Sequence, residues 1–332
     1  MLRHITDKVG IMITLFKKYT QYRNYGFSFQ QCYSRKFKSL KDKVYYKMFS
    51  YFSGGDGSVV EAVHSAWIYK KIKKRYKNST INENTTNDKW KNKKMPKVIW
   101  WCWLQGEDNI PELPKICLKS IREKIPDYKV IVVSLDNLDD YIELPEIIVT
   151  KFKAGWISGA QFSDVVRLAL LAKYGGIWID STVYCTDDRM IKTIESNDMF
   201  MYQNLMSSNS NIIRMSSWLM ATKKDNPMFE EASSLLNDYY ESTNYTEDYY
   251  VCHLILTLLV RKYSELWDKM DVFNNTDPHM LQLRLNDQFS LDVWNRILMR
   301  SSFHKLNRHL SMKESDTFYN HIKNEEGLCE KR

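Results

Sequence analysis

The stretch that decides the fold is residues 159–182, which read GAQFSDVVRLALLAKYGGIWIDST. Its first half predicts a helix that is apolar on nearly every side, with Asp164 and Arg167 as a lone ionisable pair inside the apolar run. We predict that this helix ends at Gly175–Gly176, because glycine suits the backbone angles of a helix end. The run Ile177–Asp180 then predicts a buried strand that ends in an acid. Open α/β sheets usually bind ligands at the carboxyl ends of their strands, so this stretch is the predicted site.

The ionisable residues of this stretch admit two interpretations each. Asp164 and Arg167 lie one helical turn apart, and they are either a structural ion pair or a ligand-binding pair. Because a buried ion pair is costly and often replaceable by apolar residues, its presence on this helix favours a functional role. Asp180 is either a ligand-binding acid or a cap of the strand end.

The composition predicts a packed globular protein. The chain has 332 residues, of which 44% are hydrophobic and 14% aromatic, enough for one large α/β domain with an appendage or for two domains. Its six cysteines show no paired spacing, which favours reduced thiols and a cytoplasmic location. No apolar run approaches the roughly 20 residues of a membrane span, and we expect no signal peptide.

Charge is distributed unevenly along the chain. Residues 1–97 contain 22 Lys and Arg against 6 Asp and Glu, whereas residues 98–332 contain 26 against 34. In residues 1–50 the cations alternate with aromatic residues, as in segments that lie on an anionic membrane. The alternatives are a helical subdomain with a solvated basic face and a basic arm that binds nucleic acid.

The middle of the chain predicts a parallel sheet. Lys97–Gly106 reads as a buried strand that enters a loop, Pro111–Lys124 as a helix and Tyr128–Ser134 as a second strand. Strand alternation places Trp101 and Trp103 on one face and Trp100 on the other. Trp103 is therefore either a core residue or a ring at the carboxyl edge that stacks on a flat ligand.

Further on, the pattern predicts two strands followed by two helices, with these bounds: Met199–Tyr202, Ser217–Ala221, Asn226–Tyr240 and Tyr249–Tyr263. The last of these helices is strongly apolar and follows Asp248, which would make a good helix N-cap. We predict a basic, mainly helical region over residues 1–94, an α/β domain over 95–310 and a polar tail over 311–332.

Three blocks of this sequence together resemble a known family. They are Pro96–Trp103 (PKVIWWCW), Ser163–Arg167 (SDVVR) and Tyr174–Asp180 (YGGIWID), in that order. The pattern is similar to the capsular polysaccharide synthesis proteins and the wider glycosyltransferase family 32 group. The likeness is good over residues 95–190 and extends weakly to about residue 310.

The resemblance implies a GT-A, Rossmann-type nucleotide-sugar-binding domain with a central, mainly parallel mixed sheet. It also implies retaining transfer of a sugar from a UDP-sugar, with Mn²⁺ or Mg²⁺. Trp103 would stack on the uracil, while Asp164 and Arg167 would hold the sugar and the ribose-phosphate side. The implied donor-binding set is Trp103, Asp136, Asn137, Ser163, Asp164, Arg167, Gly175, Gly176, Trp178, Asp180, Ser181, Thr182 and Lys305.

The resemblance also implies catalytic and metal-binding residues. Asp180 would be the first acid of the family's DxD motif, and Asp248 would be a polar residue near the reacting sugar carbon. The implied metal set is Asp180, Thr182 and His304, with Lys305 on the diphosphate. Thr182 stands where the motif has its main metal-ligating carboxylate, a variation that fits the capsular branch but leaves few oxygen ligands for a hard cation.

The sequence therefore predicts a glycosyltransferase that extends a lipid-linked saccharide for capsular or surface polysaccharide, peripherally on the inner face of a bacterial plasma membrane. Its expected partners are a nucleotide-sugar donor, that acceptor and an anionic membrane surface, and nucleic acid is not expected. The alternative is a non-catalytic component of a polysaccharide-assembly complex with the same fold.

Overall fold

The structure is a computed structural model that describes residues 14, 16–77, 88–205, 211–313 and 316–328. Parts of the predicted basic region, residues 1–13, 15 and 78–87, lie outside this description. The chain forms two compact units. The first comprises Met1–Thr80, Leu144–Val165 and Ser234–Ile255, and the second comprises Ile81–Glu143, Val166–Ser233 and Leu256–Arg332. The N-terminal region thus shares a unit with two later segments, a division that differs from the predicted boundary at residue 94.

The described helices are α1 (16–23), α2 (Phe29–Phe52), α3 (Gly57–Arg75), α4 (Glu112–Lys124), α5 (Leu138–Tyr141), α6 (Glu146–Lys153), α7 (Gly159–Tyr174), α8 (Arg189–Ser196), α9 (Pro227–Ser242), α10 (Val251–Lys262), α11 (Ser264–Lys269), α12 (Leu291–Arg300) and α13 (Phe318–Leu328). The strands are β1 (Val98–Cys102), β2 (Lys129–Val133), β3 (Gly176–Ile179), β4 (Val183–Cys185), β5 (Met199–Gln203), β6 (Met215–Thr222) and β7 (Phe303–Lys305). Of the helices in the described ranges, none is both long and apolar enough to cross a membrane.

The second unit is built around a five-stranded sheet in the order β2-β1-β3-β6-β5. The strands β2, β1 and β3 pair in parallel, and β6 runs antiparallel to both of its neighbours. A separate pair, β4 and β7, is antiparallel. The predicted α/β class with a mainly parallel mixed sheet and a helical N-terminal region is therefore confirmed.

Alternation along β1 places its aromatic side chains as predicted. Trp101 is fully buried on the face where Ile99, Ile177 and Leu219 form the main core, and Trp103 packs against the same cluster. Trp100 points the other way and donates from Nε1 to the carbonyl of Gly175 at 2.9 Å. The two faces differ because successive side chains of a strand point to opposite sides of the sheet.

The predicted polar tail after residue 311 is wrong for its helical part. In α13, Phe318 and Ile322 are buried in a second apolar cluster together with Tyr184 and Trp294. These two residues are four positions apart and so lie on the same face of the helix. One short amphipathic turn among many polar residues is a weak signal, and the sequence prediction missed it.

The turn between α7 and β3 explains why two glycines stand there. Gly175 and Gly176 have φ of +68° and +93°, where side chains are strained. A Cβ on Gly175 would lie 2.6 Å from the backbone nitrogen of Lys224, and one on Gly176 would lie 2.7 Å from the backbone oxygen of Val98. The backbone approaches too closely at both positions for any side chain.

In the first unit, α2 packs one face against α3. Asp42 of α2 bonds to His64, and Tyr45 and Phe49 contact the ring of Trp67, with centroids 4.7 Å and 6.4 Å away. Elsewhere in this unit, the buried ammonium of Lys151 donates to the carbonyls of Tyr240, Glu241 and Thr243 at 2.7–2.9 Å. A cation at the carboxyl end of α9 is favourable, since helix ends leave carbonyls unpaired there.

Candidate functional site

Asp180 lies immediately after β3 in the second unit, between two cations. Its Oδ1 accepts hydrogen bonds from Arg167 Nη2 at 2.8 Å and from Trp178 Nε1 at 2.9 Å. Its Oδ2 accepts one from Lys305 Nζ at 2.9 Å, and Lys305 Nζ also donates to Thr182 Oγ1 at 2.8 Å. The structure therefore brings together four of the predicted residues around one carboxylate.

Lys305 reaches Asp180 through the pairing of β4 with β7. Val183 pairs with Lys305, and the carbonyl of Thr182 accepts a hydrogen bond from Leu306 N at 2.8 Å. On the other side, Asp180 N donates to the carbonyl of Trp218 on β6 at 2.8 Å. The acid is thus fixed by backbone contacts to two sequence-distant strands.

The electrostatics of this group favour an anionic ligand. Burial raises the pKa of Asp180, but Lys305 and Arg167 outweigh this effect and hold the pKa below its ordinary value, so the carboxyl is ionised. Arg167 and Lys305 both form ion pairs with this carboxylate. The side chain of Arg167 is 5% exposed, whereas those of Asp180 and Lys305 are 23% and 21% exposed. Lys305 is therefore the cation that a dissolved ligand can reach.

Trp178 and the glycine pair have structural roles in this arrangement. The buried indole of Trp178 donates to Asp180 and lies under the guanidinium of Arg167, 4.9 Å from its ring centroid. Gly175 and Gly176 lie at the amino end of β3, whereas Asp180 follows its carboxyl end. The structure explains these two glycines by their close packing. Their predicted part in donor binding stays a prediction.

Trp103 lies at the carboxyl edge of β1, as predicted. Its ring is partly buried, and the guanidinium of Arg308 lies 5.6 Å from the ring centroid. The neighbouring loop after β2 contains Asp136, which is exposed, and Asn137, whose amide bonds to the backbone of Ser134 and Val132. The sequence prediction missed Arg308, for which the only signal is a cation shortly after Lys305.

A second missed residue is Cys102, the last residue of β1. Burial raises the pKa of its thiol to about 12, Arg167 lowers the pKa and Asp180 raises it, so these groups lie close together. The thiol is neutral at physiological pH and acts as a small apolar side chain near Asp180 and Arg167.

Two other predicted residues, Ser163 and Asp164, belong to the first unit. Both are on α7, where Asp164 is buried and its charge contributes to raising the pKa of Tyr240, after the larger effect of burial. Ser181 lies in the turn after Asp180 and is partly buried. The roles predicted for these three residues in donor binding stay predictions.

Asp248 is also in the first unit and is part of a buried polar cluster. Its Oδ2 accepts from Ser65 Oγ at 2.8 Å and lies 3.3 Å from His64 Nδ1, and its Oδ1 accepts from the backbone of Tyr250 at 2.7 Å. His64 Nε2 in turn lies 2.9 Å from Asp42 Oδ1. These residues line a cavity of about 290 Å³. The predicted catalytic role of Asp248 stays a prediction.

His64→Asn is expected to reduce stability more at acid pH than at alkaline pH. Burial lowers the pKa of His64, but bonds to Asp248 and Asp42 outweigh it and raise the pKa above 6.5. This stabilisation is complete below pH 6.5 and is lost as pH rises through the folded-state pKa. Urea unfolding should show a loss of about 2 kcal/mol at low pH. His309→Asn, on an exposed residue, should show little loss at either pH, and an equal loss for His64→Asn at all pH values would contradict the expectation.

The predicted metal ligands do not come together as a set. Both Asp180 oxygens and the Thr182 hydroxyl are bonded to neighbouring donors. His304 is fully buried; its Nε2 is 3.4 Å from Thr186 Oγ1, and burial lowers its pKa to about 4. Its neighbour Lys305 faces Asp180, so alternation along β7 turns His304 to the opposite side.

In the described ranges no group of three or more His, Cys, Asp or Glu could hold a metal ion. These residues do not fit a divalent cation held by the protein alone, and the predicted metal requirement stays a prediction.

The comparison with protein families identifies the family of this chain. A family model described as "Capsular polysaccharide synthesis protein" matches residues 56–322. The chain belongs to this family. The resemblance seen in the three sequence blocks is thereby confirmed for the capsular polysaccharide synthesis proteins, and the wider relation to glycosyltransferase family 32 stays a prediction.

Two individual proteins are similar to this chain. The "O-glycosyltransferase braB" of Annulohypoxylon truncatum is 32% identical over 94 residues, which is 26% of this chain. The chain covers 22% of that relative's length. Among solved structures, the "PaToxG Glycosyltransferase" is 15% identical and aligns with a TM-score of 0.38, over 62% of this chain and 83% of that one.

Proposed function

We propose that this protein is a glycosyltransferase. It moves a sugar, with retention of configuration, from a UDP-sugar to a lipid-linked saccharide in the synthesis of capsular or related surface polysaccharide. The observation that carries the proposal is the cluster of Arg167, Asp180 and Lys305 at the carboxyl edge of the sheet, in a chain of the capsular polysaccharide synthesis family. The glycosyltransferase name of the fungal relative agrees with it.

The proposed roles follow from the chemistry of the leaving group. A departing nucleoside diphosphate gains negative charge, which Lys and Arg side chains stabilise when they are fixed in advance. Lys305, the more exposed of the two cations, contacts the diphosphate, and Arg167 holds Asp180 in place. Asp180 bonds to the hydroxyls of the donor's sugar or ribose, and Trp103 stacks on the uracil. The catalytic role of Asp248 that the family resemblance implies is kept as part of the proposal.

The proposed setting is the inner face of a bacterial plasma membrane, because the acceptor is lipid-linked. Residues 1–97 contain 22 Lys and Arg against 6 acids, which supports attraction to anionic lipid. Docking at that surface raises the effective concentration of the site relative to the acceptor.

The expectation that nucleic acid is not a partner is tested by measuring salt-dependent binding to DNA and RNA.

Lys305→Met is expected to weaken UDP binding by about tenfold or more, because it removes one charge-assisted contact to phosphate. Calorimetric titration of purified protein with UDP measures this, with Lys115→Met as a control on an exposed lysine of α4. Equal UDP affinities in wild type and Lys305→Met would contradict the role given to Lys305.

A screen of UDP-sugars for transfer or hydrolysis tests the function itself. Turnover of one donor supports the proposal, and comparison of EDTA with added Mn²⁺ or Mg²⁺ checks the metal requirement. The alternative is a non-catalytic component of a polysaccharide-assembly complex. It is favoured by Thr182, which stands where the family's DxD motif has its main metal-ligating carboxylate. That alternative predicts no UDP binding and no turnover.

A further inference from the structure

Helix α2 carries an apolar stripe that faces away from its own unit. The stripe consists of Tyr33, Phe37, Leu40, Val44, Met48 and Tyr51, which are between 39% and 82% exposed. At 3.6 residues per turn these positions fall within an arc of about 100°, so they form one continuous face. The rings of Tyr33 and Phe37 are stacked, with centroids 6.4 Å apart.

The opposite face of α2 already has its partners. Cys32 is buried, Asp42 bonds to His64, and Tyr45 and Phe49 pack against Trp67 of α3. The helix therefore has two apolar faces, and contacts among the described residues of the unit account for one of them. An exposed apolar stripe of this length marks an interaction surface.

Cations border the stripe on both sides. Helical spacing places Lys36, Lys43 and Lys47 along one edge and Lys41 along the other. The helix contains six Lys and Arg, and its one acid, Asp42, is on the face packed against α3. The outer half of α2 thus combines apolar and aromatic side chains with positive charge and no acid.

We propose that the outer face of α2 lies flat on an anionic lipid surface, with the stripe at acyl-chain depth and the lysines against lipid phosphates. Aromatic rings between cations are typical of helices that lie in the membrane interface. A second copy of the chain fits less well, because pairing two stripes would bring two rows of lysines together with no acids to neutralise them. This inference deepens the proposed function, since it identifies the surface that docks at the membrane.

Vesicle co-sedimentation of the full chain tests the surface. Vesicles of phosphatidylcholine alone are compared with vesicles that also contain phosphatidylglycerol. Wild type should bind the anionic vesicles, and Tyr33→Ser/Phe37→Ser/Val44→Ser should weaken this binding by about tenfold or more, since three apolar side chains are lost. Lys36→Gln/Lys43→Gln/Lys47→Gln should remove most of the preference for phosphatidylglycerol.

A matched control removes equally exposed apolar side chains elsewhere. Leu283, Leu291 and Met299 are 63–72% exposed, and their triple replacement by Ser should leave vesicle binding unchanged. The proposal is overturned if the α2 stripe variant binds anionic vesicles as tightly as wild type. It is also overturned if sedimentation shows that the variant converts a dimer to a monomer without changing vesicle binding. Circular dichroism checks that each variant stays folded.

Hydrolysis of a UDP-sugar in the absence of vesicles separates this inference from the proposed function. The α2 stripe variant should hydrolyse the donor at the wild-type rate, because its changed residues belong to a surface outside the Asp180 cluster. Loss of vesicle binding with normal hydrolysis supports the surface. Wild type that binds vesicles without turning over any donor contradicts the proposed function and leaves the surface standing.

Discussion

Asp180→Asn is expected to lower the rate of sugar transfer by at least about a hundredfold. The amide keeps the shape of the carboxylate but loses its charge, and one of its two positions donates where an acceptor is needed. Arg167 and Lys305 then lose their ion pairs with Asp180, and the proposed contact of Asp180 to the donor is lost. Initial rates of UDP release from the donor found in the screen measure the effect.

The matched control is Asp188→Asn, which changes an exposed acid close by in the sequence. It should leave the rate within about twofold of wild type, since surface substitutions rarely have larger effects. The melting temperature of both variants shows whether the folded state persists. Turnover like that of wild type in a folded Asp180→Asn protein would rule out the proposed role of Asp180.

Gly175→Ala is expected to destabilise the second unit by about 3 kcal/mol or more. Two costs add at this position. The φ of +68° is strained for alanine, and the new Cβ would lie 2.6–2.9 Å from backbone atoms of Thr222, Lys223 and Lys224. Backbone atoms of a paired strand end move only if hydrogen bonds between β3 and β6 are distorted. Urea unfolding measures the loss of free energy.

Gly54→Ala separates the two costs. Gly54 has a φ of +65°, almost that of Gly175, but nothing lies within 4 Å of its Cβ position. Its replacement should cost only the backbone strain, roughly 1 kcal/mol. Equal losses for the two variants would mean that the close approach at Gly175 relaxes freely.

The local patterns of the sequence were sufficient for part of the second unit, but they predicted no element between Ser264 and Arg300, where α11 and α12 lie. Helix α7, the glycine turn, β3 and the terminal acid were predicted from apolar periodicity and glycine placement, and β1, α4 and β2 from the same signals. These predictions succeeded because each depends on residues a few positions apart. Helix α13 was missed because one turn with Phe318 and Ile322 is too short to stand out from its polar surroundings.

The residues of the candidate site were likewise predicted only in part from the sequence. Asp180, Arg167 and Trp103 were predicted from strand ends and an apolar helix, whereas Arg308 and Cys102 were missed because their relation to the site exists only in the folded chain. Lys305 and His304 were both expected at the site from the family resemblance, and only Lys305 is there.

The sequence by itself determined the helix–turn–strand of residues 159–182 and the position of its acid, since hydrophobic periodicity and the two glycines act locally. Tertiary structure decided what surrounds that acid. Lys305 is 125 residues from Asp180, and the pairing of β4 with β7 sets the contact. Because side chains alternate along a strand, this register turns Lys305 toward Asp180 and His304 away from it. A shift of one residue would exchange them, and no local pattern in the sequence specifies that choice.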